Sequence, residues 1–584
     1  MEIVGSKENI LLAYRNFKRN KGSFTPGPDK ATIQDISKMN QNELVGIIQN
    51  KLACYKPKPV RRVEIPKEGG KVRPLGIPSI WDRFVQQCIS QVLDPICEAK
   101  FNDHSYGFRP NRSAEHAIAD CMKKINRQGL CFVVDVDIRG FFDNVDHTKL
   151  VQQMWTMGIR DKRLLCVVRK MLKAPILMPD GRIEYPTKGT SQGALCSPIL
   201  SNIVLNELDW WISSQWETFE TRKKYSVRAN YNGSLNKSHT YRALRGTHLK
   251  EVHIVRYADD FRIFCKNRDT ANKIFVATEK WLKERLKLEI NVDKSKIVNL
   301  KRANSNFLGF RFKAIRKRSK RVAESHMSEK AVESVTNKLK EQIKRIQKPP
   351  FGYDGKEIWR FNGMVTGIHN YYRIATRITC DCGAIGRIID IAIKNRLKKR
   401  VKKQGKLDPK GFIAQEYGKS RQLRFISDQP LIPIAYPRAR PPKLKEFKVN
   451  QYTSEGRQSI HRDLKINMAV TKYLVHKTSY NRPETVEYED NKISKYYGQY
   501  GKCAVTGKEL GFEGWHCHHI IPREIGGDDS YKNLILIMDY VHRLIHAKDT
   551  ETIAKYMLII APDKDMLKKI NKLRAKVELK DIKL

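Results

Sequence analysis

The chain has no run of about 18 apolar residues, so no segment reads as a membrane-spanning helix. Its first residues, MEIVGSKENI, carry acids early and have no apolar core, so a secretory signal is not expected, and they are unlike an arginine-rich transit peptide. No C-x-x-C pair occurs. The twelve cysteines are scattered, and Cys380 and Cys382 stand too close together for common zinc spacing. That usage fits a reducing, intracellular protein with mostly buried thiols, and a cytoplasmic location is expected. No repeat at solenoid periods is present. Acids are scarce: 62 Asp and Glu against 111 Lys and Arg leave a formal charge of +49. This exceeds what solubility needs and points to a polyanionic partner. Apolar residues are not scarce. At 40% of 584 residues they support large cores, in three or more domains at about 100–200 residues each.

Residues 1–50 read as helical, interrupted at SFTPGPDKAT, and residues 57–80 as a hairpin with a Gly-Gly turn. Residues 80–128 are largely helical in pattern. CFVVDVDIRGFFDNVD (131–146) opens as a buried strand and turns helical near HTKL, and residues 195–215 read as a helix. Residues 216–250 are polar and basic and interrupt two well-patterned segments, so they read as an inserted loop or extension. Apolar residues at Met327, Val332, Val335, Leu339, Ile343 and Ile346 predict one helix over 325–347. The proline-rich, basic stretch 436–458 is the best linker candidate.

HIVRYADDFRIFC (253–265) places Asp259 and Asp260 between two β-branched runs, at the tip of what reads as a buried hairpin. Neighbouring anions repel and burial raises the cost, so either a basic side chain or a divalent cation is expected beside them. Asp135 and Asp137 share a face if the strand FVVDVDI is regular. Two such strands can hold two hard cations on oxygen ligands and clamp the attacking and leaving oxygens of a phosphoryl transfer.

Several segments then resemble the motifs of reverse transcriptases encoded within group II introns, which also act as maturases. They are PVRRVEIPKEGGKVRPLGIPSIWDRFVQ, FNDHSYGFRPNRSAEHAI, DVDIRGFFDNVDH, KGTSQGALCSPILSNIVLNELD, YADDF and FLGF, together running through most of the chain. The resemblance implies that Asp137 and Asp259 hold two Mg²⁺, with Asp137, Asp259 and Asp260 catalytic and Asp135 a strand-edge or structural acid. It places Phe142, five positions after Asp137, where a ribonucleotide 2′-hydroxyl would clash. Lys71 and Arg73 would meet the triphosphate, and Gln192 the sugar and base. Ser191 and Ala194 stand where the family commonly has proline and glycine. RFNGMVTGIHNYYRIA (360–375) is similar to the maturase region after the thumb, which implies RNA contacts for Tyr371, Tyr372 and Arg373.

At the C-terminus, residues 503–547 hold His518 and His519 together, then Asn533, then His542 and His546 at i, i+4 on one helix face. The set is similar to the HNH nuclease motif, a β-hairpin and a helix around one divalent metal. The resemblance implies that His518, His542 and His546 bind the cation. It makes His519 the general base, with Asn533 orienting it through a hydrogen bond. Many family members add a four-cysteine zinc site; here Cys503 lacks a partner at Thr506 and later positions hold Met538 and Val541, so no structural zinc is expected. Imidazole suits transition metals, although an open hydrolytic site also works with Mg²⁺.

The expected fold is a multidomain α/β protein. It comprises a right-hand polymerase with an antiparallel palm sheet, a helical thumb and maturase domain, and a small ββα-metal HNH domain. The expected boundaries are 1–130 (N-terminal extension and fingers), 131–312 (palm), 313–430 (thumb and maturase), 431–490 (basic linker or DNA-binding region) and 491–584 (HNH and tail). The resemblance implies a multifunctional protein that binds its parent intron RNA as a lariat ribonucleoprotein and assists splicing. It would use deoxynucleotides for reverse transcription and cut the second strand of target DNA, with no membrane partner. A splicing chaperone with vestigial enzymes and a defence-type reverse transcriptase are the rival readings. The intact aspartates and histidines argue against the first, and the maturase-like region and HNH unit against the second.

Overall fold

The computed structural model describes the whole chain except residues 67–71, 351, 463, 465, 477–483 and 584. Two compact units emerge. One gathers residues 1–100, 146–200 and 451–584, and the other residues 101–145 and 201–450.

The second unit contains the palm. Its sheet runs in the order Lys296–Asn299, Phe132–Val136, Asp260–Cys265, Val252–Tyr257, with every neighbour antiparallel. The strands are built from Val, Ile and Phe, whose branched and aromatic side chains suit a sheet covered by helices. Helices Ala114–Gln128 and Arg268–Trp281 pack on it. The core continues without a break from Val133, Phe264 and Val298 through Phe310 and Phe312. From there it reaches Leu339, Ile343, Phe361 and Ile385 in the helices that follow.

Helix Glu329–Gln347 begins where Ser328 accepts a hydrogen bond from the Ala331 amide. A glutamate lies in its first turn, and Lys344 and Arg345 lie in its last, each complementing the helix dipole. The single helix expected over 325–347 therefore needs correcting at its start. Residues up to Met327 belong to the strand Lys320–Met327, which pairs along its length with Phe310–Lys317. Period alone misassigned Met327, because a strand residue facing the core mimics one helical position.

The first unit carries three N-terminal helices, Lys7–Lys18, Ile33–Ser37 and Gln41–Ala53. A hairpin of Val60–Pro66 with Val72–Ile77 follows, and its expected Gly-Gly turn lies outside the described residues. The C-terminal part of this unit has its own core, from Val470 and Tyr496 to Leu536, Ile545 and Ile570. Its helix Val486–Gly498 is pinned to the first helix of the chain. Tyr14 donates to Glu487 at 2.5 Å, while Lys18 and Arg15 pair with Asp490 at 2.6 and 3.0 Å.

Residues 436–450 do not behave as a free linker. Arg440 forms a bidentate pair with Glu115 at 2.5 and 2.7 Å, and its backbone amide donates to the Arg373 carbonyl. Lys445 is buried, its ammonium bonded to the carbonyls of Glu446 and Val449. Proline excludes this stretch from helices and sheets, but side-chain charges still anchor it. Among the described residues, no helix is long and apolar enough to cross a membrane.

Candidate active sites

The palm site forms where two strands end together. Tyr257 pairs with Asp260, leaving Ala258 and Asp259 as the turn. Val136 pairs with Phe261, so Asp137, one residue further, comes alongside that turn. Ala258 sits at φ 59°, an unusual left-handed conformation for a residue with a Cβ, of the kind held only by a well-determined surrounding.

That surrounding is visible. The guanidinium of Arg256 is fully buried, donates to the Ala258 carbonyl at 2.7 Å and to Asn202 at 2.9 Å, and is paired with Asp209 at 2.6 Å. Gly107 lies against the turn so closely that a Cβ there would meet the Ala258 nitrogen at 2.3 Å. Sequence reading missed Arg256, Asp209 and Gly107 as supports. An arginine directly before the tyrosine of YADD, within a strand rich in valine and isoleucine, was the available signal.

Basic side chains supply the positive charge expected beside the carboxylates. Lys294 stands 3.2 Å from Asp137, and Arg262 pairs with Asp260 at 2.6 Å. Arg262 also reaches Asp135 at 2.8 Å, where Ser305 donates to the same carboxylate at 2.8 Å. Asp135 is 7% exposed and acts as a buried strut, whereas Asp137 and Asp260 are 44% and 42% exposed. The catalytic-type acids are thus half-exposed, not buried as the apolar flanks suggested. The half-turn past the strand ends lifts them out of the sheet. Burial raises the pKa of Asp260, while Arg262 pulls it down. The donors of Asp137 and Asp259 are hard, partly exposed carboxylate oxygens, a chemistry that fits a hard divalent cation.

Phe142 follows in the short helix Phe141–Asn144. Its neighbour Phe141 is buried, while Phe142 is half-buried with the two rings edge-on at 5.4 Å. In the other unit Arg73 donates to the Gln192 side chain at 3.1 Å, and the Gly76 amide to the Gln192 carbonyl at 2.7 Å. Gly193, at φ 121°, comes so near Gly76 that a Cβ would meet its carbonyl oxygen at 2.5 Å, which explains a glycine there. Lys71 lies outside the described residues. Tyr371 donates to the Leu308 carbonyl at 3.0 Å, and both Tyr371 and Tyr372 pack on Phe310, so the pair braces the FLGF turn. Tyr371 remains 44% exposed. Arg373 offers its carbonyl to Arg440.

The C-terminal site is a ββα unit. Strand Trp515–His519 pairs antiparallel with Leu534–Met538, and helix Asp539–His546 follows directly. His518, His542 and His546 each offer a ring nitrogen, all within 4.8 Å of one another; among the described residues this is the one such cluster of three or more ligand groups. Burial, then the neighbouring imidazoles, holds the pKa of His518 down at about 3 and that of His542 down at about 4. Burial lowers that of His546. All three rings are therefore neutral near pH 7, with lone pairs to offer. The buried Nε2 of His518 has no hydrogen-bond partner. Three converging neutral imidazoles fit a divalent metal with open positions, the arrangement of a catalytic site.

A fourth histidine escaped the sequence reading. His516 stacks on His542 at 4.5 Å and bonds Asp539 at 3.1 Å. The H-x-H alternation on a strand, which puts positions 516 and 518 on one face, was the available signal. The role expected of Asn533 needs correction. His519 Nε2 meets Asp529 at 2.8 Å, and its ring stacks on Tyr488 at 5.3 Å. Asn533 instead accepts from the Ile521 amide and donates to the carbonyls of Ile521 and Asp528. It ties down the loop that carries Asp529. A short buried amide at the root of a loop finds backbone groups before it finds a side chain beyond them.

The reverse transcriptase (RNA-dependent DNA polymerase) family matches residues 65–312, and the HNH endonuclease family residues 502–548. Protein YkfC of Escherichia coli is 33% identical over 57% of this chain and 87% of its own length. The group II intron-encoded protein LtrA of Lactococcus lactis is 31% identical over 51% of this chain. The putative COX1/OXI3 intron 2 protein of Saccharomyces cerevisiae is 28% identical over 71%. The chain spans about half the length of each of the latter two, at 54%. With a palm sheet carrying the paired aspartates and a ββα unit carrying the histidine cluster, the chain belongs to the reverse transcriptases of the group II intron-encoded family, with an HNH endonuclease domain at its C-terminal end.

Proposed function

We propose that the protein binds its parent intron RNA as a lariat ribonucleoprotein, assists splicing, cuts the second strand of target DNA and copies the intron from the exposed 3′ end. The observation that supports this reading is the presence on one chain of two separate phosphoryl-transfer constellations, one of carboxylates and one of imidazoles. Asp137 and Asp259 would hold two Mg²⁺, with Asp260 completing the acid set. The ions would supply charge neutralisation at the attacking and leaving oxygens. Lys71 and Arg73 bind the triphosphate, Gln192 lies by the nucleotide, and Phe142 excludes a 2′-hydroxyl.

In the HNH unit His518, His542 and His546 would hold one divalent cation. His519 donates Nε2–H to Asp529, which leaves Nδ1 to take the proton from the attacking water as the phosphodiester bond breaks. Tyr371, Tyr372 and Arg373 are assigned to RNA contact, with Tyr371 presenting the open ring.

The test is a double dissociation on the full chain. Asp259→Ala abolishes primer extension on a primed RNA template and leaves second-strand nicking. His519→Ala lowers nicking roughly 10²–10⁴-fold, the worth of a general base, and leaves extension intact. Normal extension by the first variant, or joint loss of both activities in either, refutes the assignment.

A further inference from the structure

Two segments stand outside the polymerase and nuclease chemistry: the polar insertion 216–250 and the proline-rich basic stretch. In the second unit they meet. The Asn232 side chain donates to the Lys445 carbonyl at 2.9 Å, and the Phe447 amide donates to the Asn232 carbonyl at 2.7 Å. Together with helix Ala114–Gln128 they line a partly open cavity of about 510 Å³. We propose that this cavity receives one unpaired nucleotide of a structured RNA, with the base inside and the phosphates on the rim.

The volume lies within the roughly 300–1,000 Å³ of small-ligand sites, room for a nucleotide and not for a duplex. Unpaired RNA bases are read by stacking on aromatic rings and by bonds along their edges. Tyr241 and Phe447 line the cavity as the aromatic surfaces, and Gln128 lines it with a buried amide oxygen that has no hydrogen-bond partner. Lys237 and Arg242 lie in the rim and suit phosphate oxygens.

The floor is already ordered. His104 bridges Asp120 at 2.6 Å and Glu217 at 3.0 Å, and Tyr241 donates to Glu217 at 2.6 Å. A floor whose charges are mutually satisfied keeps its shape when a base enters, which lowers the ordering cost of binding.

The experiment compares two hairpin RNAs with the same stem, one carrying a bulged uridine run and one fully paired, bound to the full chain. Lys237→Glu/Arg242→Glu should weaken binding of the bulged hairpin about tenfold and of the paired one less than about twofold, since general phosphate attraction is shared by both. Both side chains sit at the rim, outside the hydrophobic core. As an independent readout, 4-thiouridine in the bulge should crosslink to the peptide holding Tyr241 or Phe447. Equal loss on both hairpins, no loss on either, or crosslinks only elsewhere overturns the proposal. So does an equal loss on the bulged DNA counterpart, or free uridine monophosphate binding as tightly as the bulged RNA.

Discussion

Phe142 and Phe141 show how adjacent identical side chains divide roles. Phe141 is buried as core, and Phe142, edge-on to it, keeps part of its ring accessible. Gly140, at φ 53°, starts the short helix and sets this split. A ring held by a packed neighbour is rigid enough to act as a steric gate. Phe142→Val should therefore raise ribonucleotide use relative to deoxynucleotide use by at least about tenfold, the rate equivalent of relieving about 1.4 kcal/mol. Single-nucleotide incorporation with matched pairs of substrates measures it. An unchanged ratio would assign Phe142 to packing alone. Asp135 and Asp137 divide roles in the same way. Two residues apart, one is locked by Arg262 and Ser305, and the other reaches past the strand end to where Lys294 meets it.

At the scale of elements, the insertion 216–250 is held to the palm by buried charge as well as by the buried side chains of Trp216 and Leu244. Burial opposes a charge on His104, but Glu217 and Asp120 outweigh it, and the pKa is pushed up to about 9. The two carboxylates are held below their ordinary range by His104 and Lys124, so they stay ionised across the neutral window. A group whose pKa rises on folding contributes stability that is complete below its unfolded value, near 6.5 for histidine, and is lost as pH climbs through its folded value. His104→Gln should thus cost on the order of 3 kcal/mol near pH 6, since it leaves buried carboxylates short of a partner. The deficit should shrink between about pH 7 and 10. Urea unfolding across that range reads it, and a deficit independent of pH would show that His104 is neutral in the fold. The YADD turn is likewise held by charge from beneath, through Arg256 and Asp209.

For the whole molecule, the charge of +49 governs encounter with nucleic acid. Affinity for the parent intron RNA should fall by at least about a hundredfold between about 50 and 200 mM salt, because each phosphate contact releases counterions. Filter binding across salt concentrations checks this, and a flat response would point to an apolar interface. The proline-rich stretch bears on the same scale. Expected as a linker, it is tied along residues 436–450 to Glu115, Arg373 and Asn232, so part of the basic charge is placed rather than floating.

Much of this protein follows from sequence alone. The palm strands, the turn at Asp259, the fingers strands and the ββα order of His518, His519, His542 and His546 are local patterns, set by side-chain period and by contiguous motifs. These elements were legible because each motif is contiguous along the chain. Only tertiary structure decided which basic side chain stands beside which aspartate, and that Asp529, not Asn533, meets His519. It also decided that Arg256 and Gly107 carry the strained turn, and that residues 216–250 and 436–450 close one cavity. Each of these depends on partners distant in sequence, or on where a loop returns, and burial and charge pairing select among them only once the chain has folded.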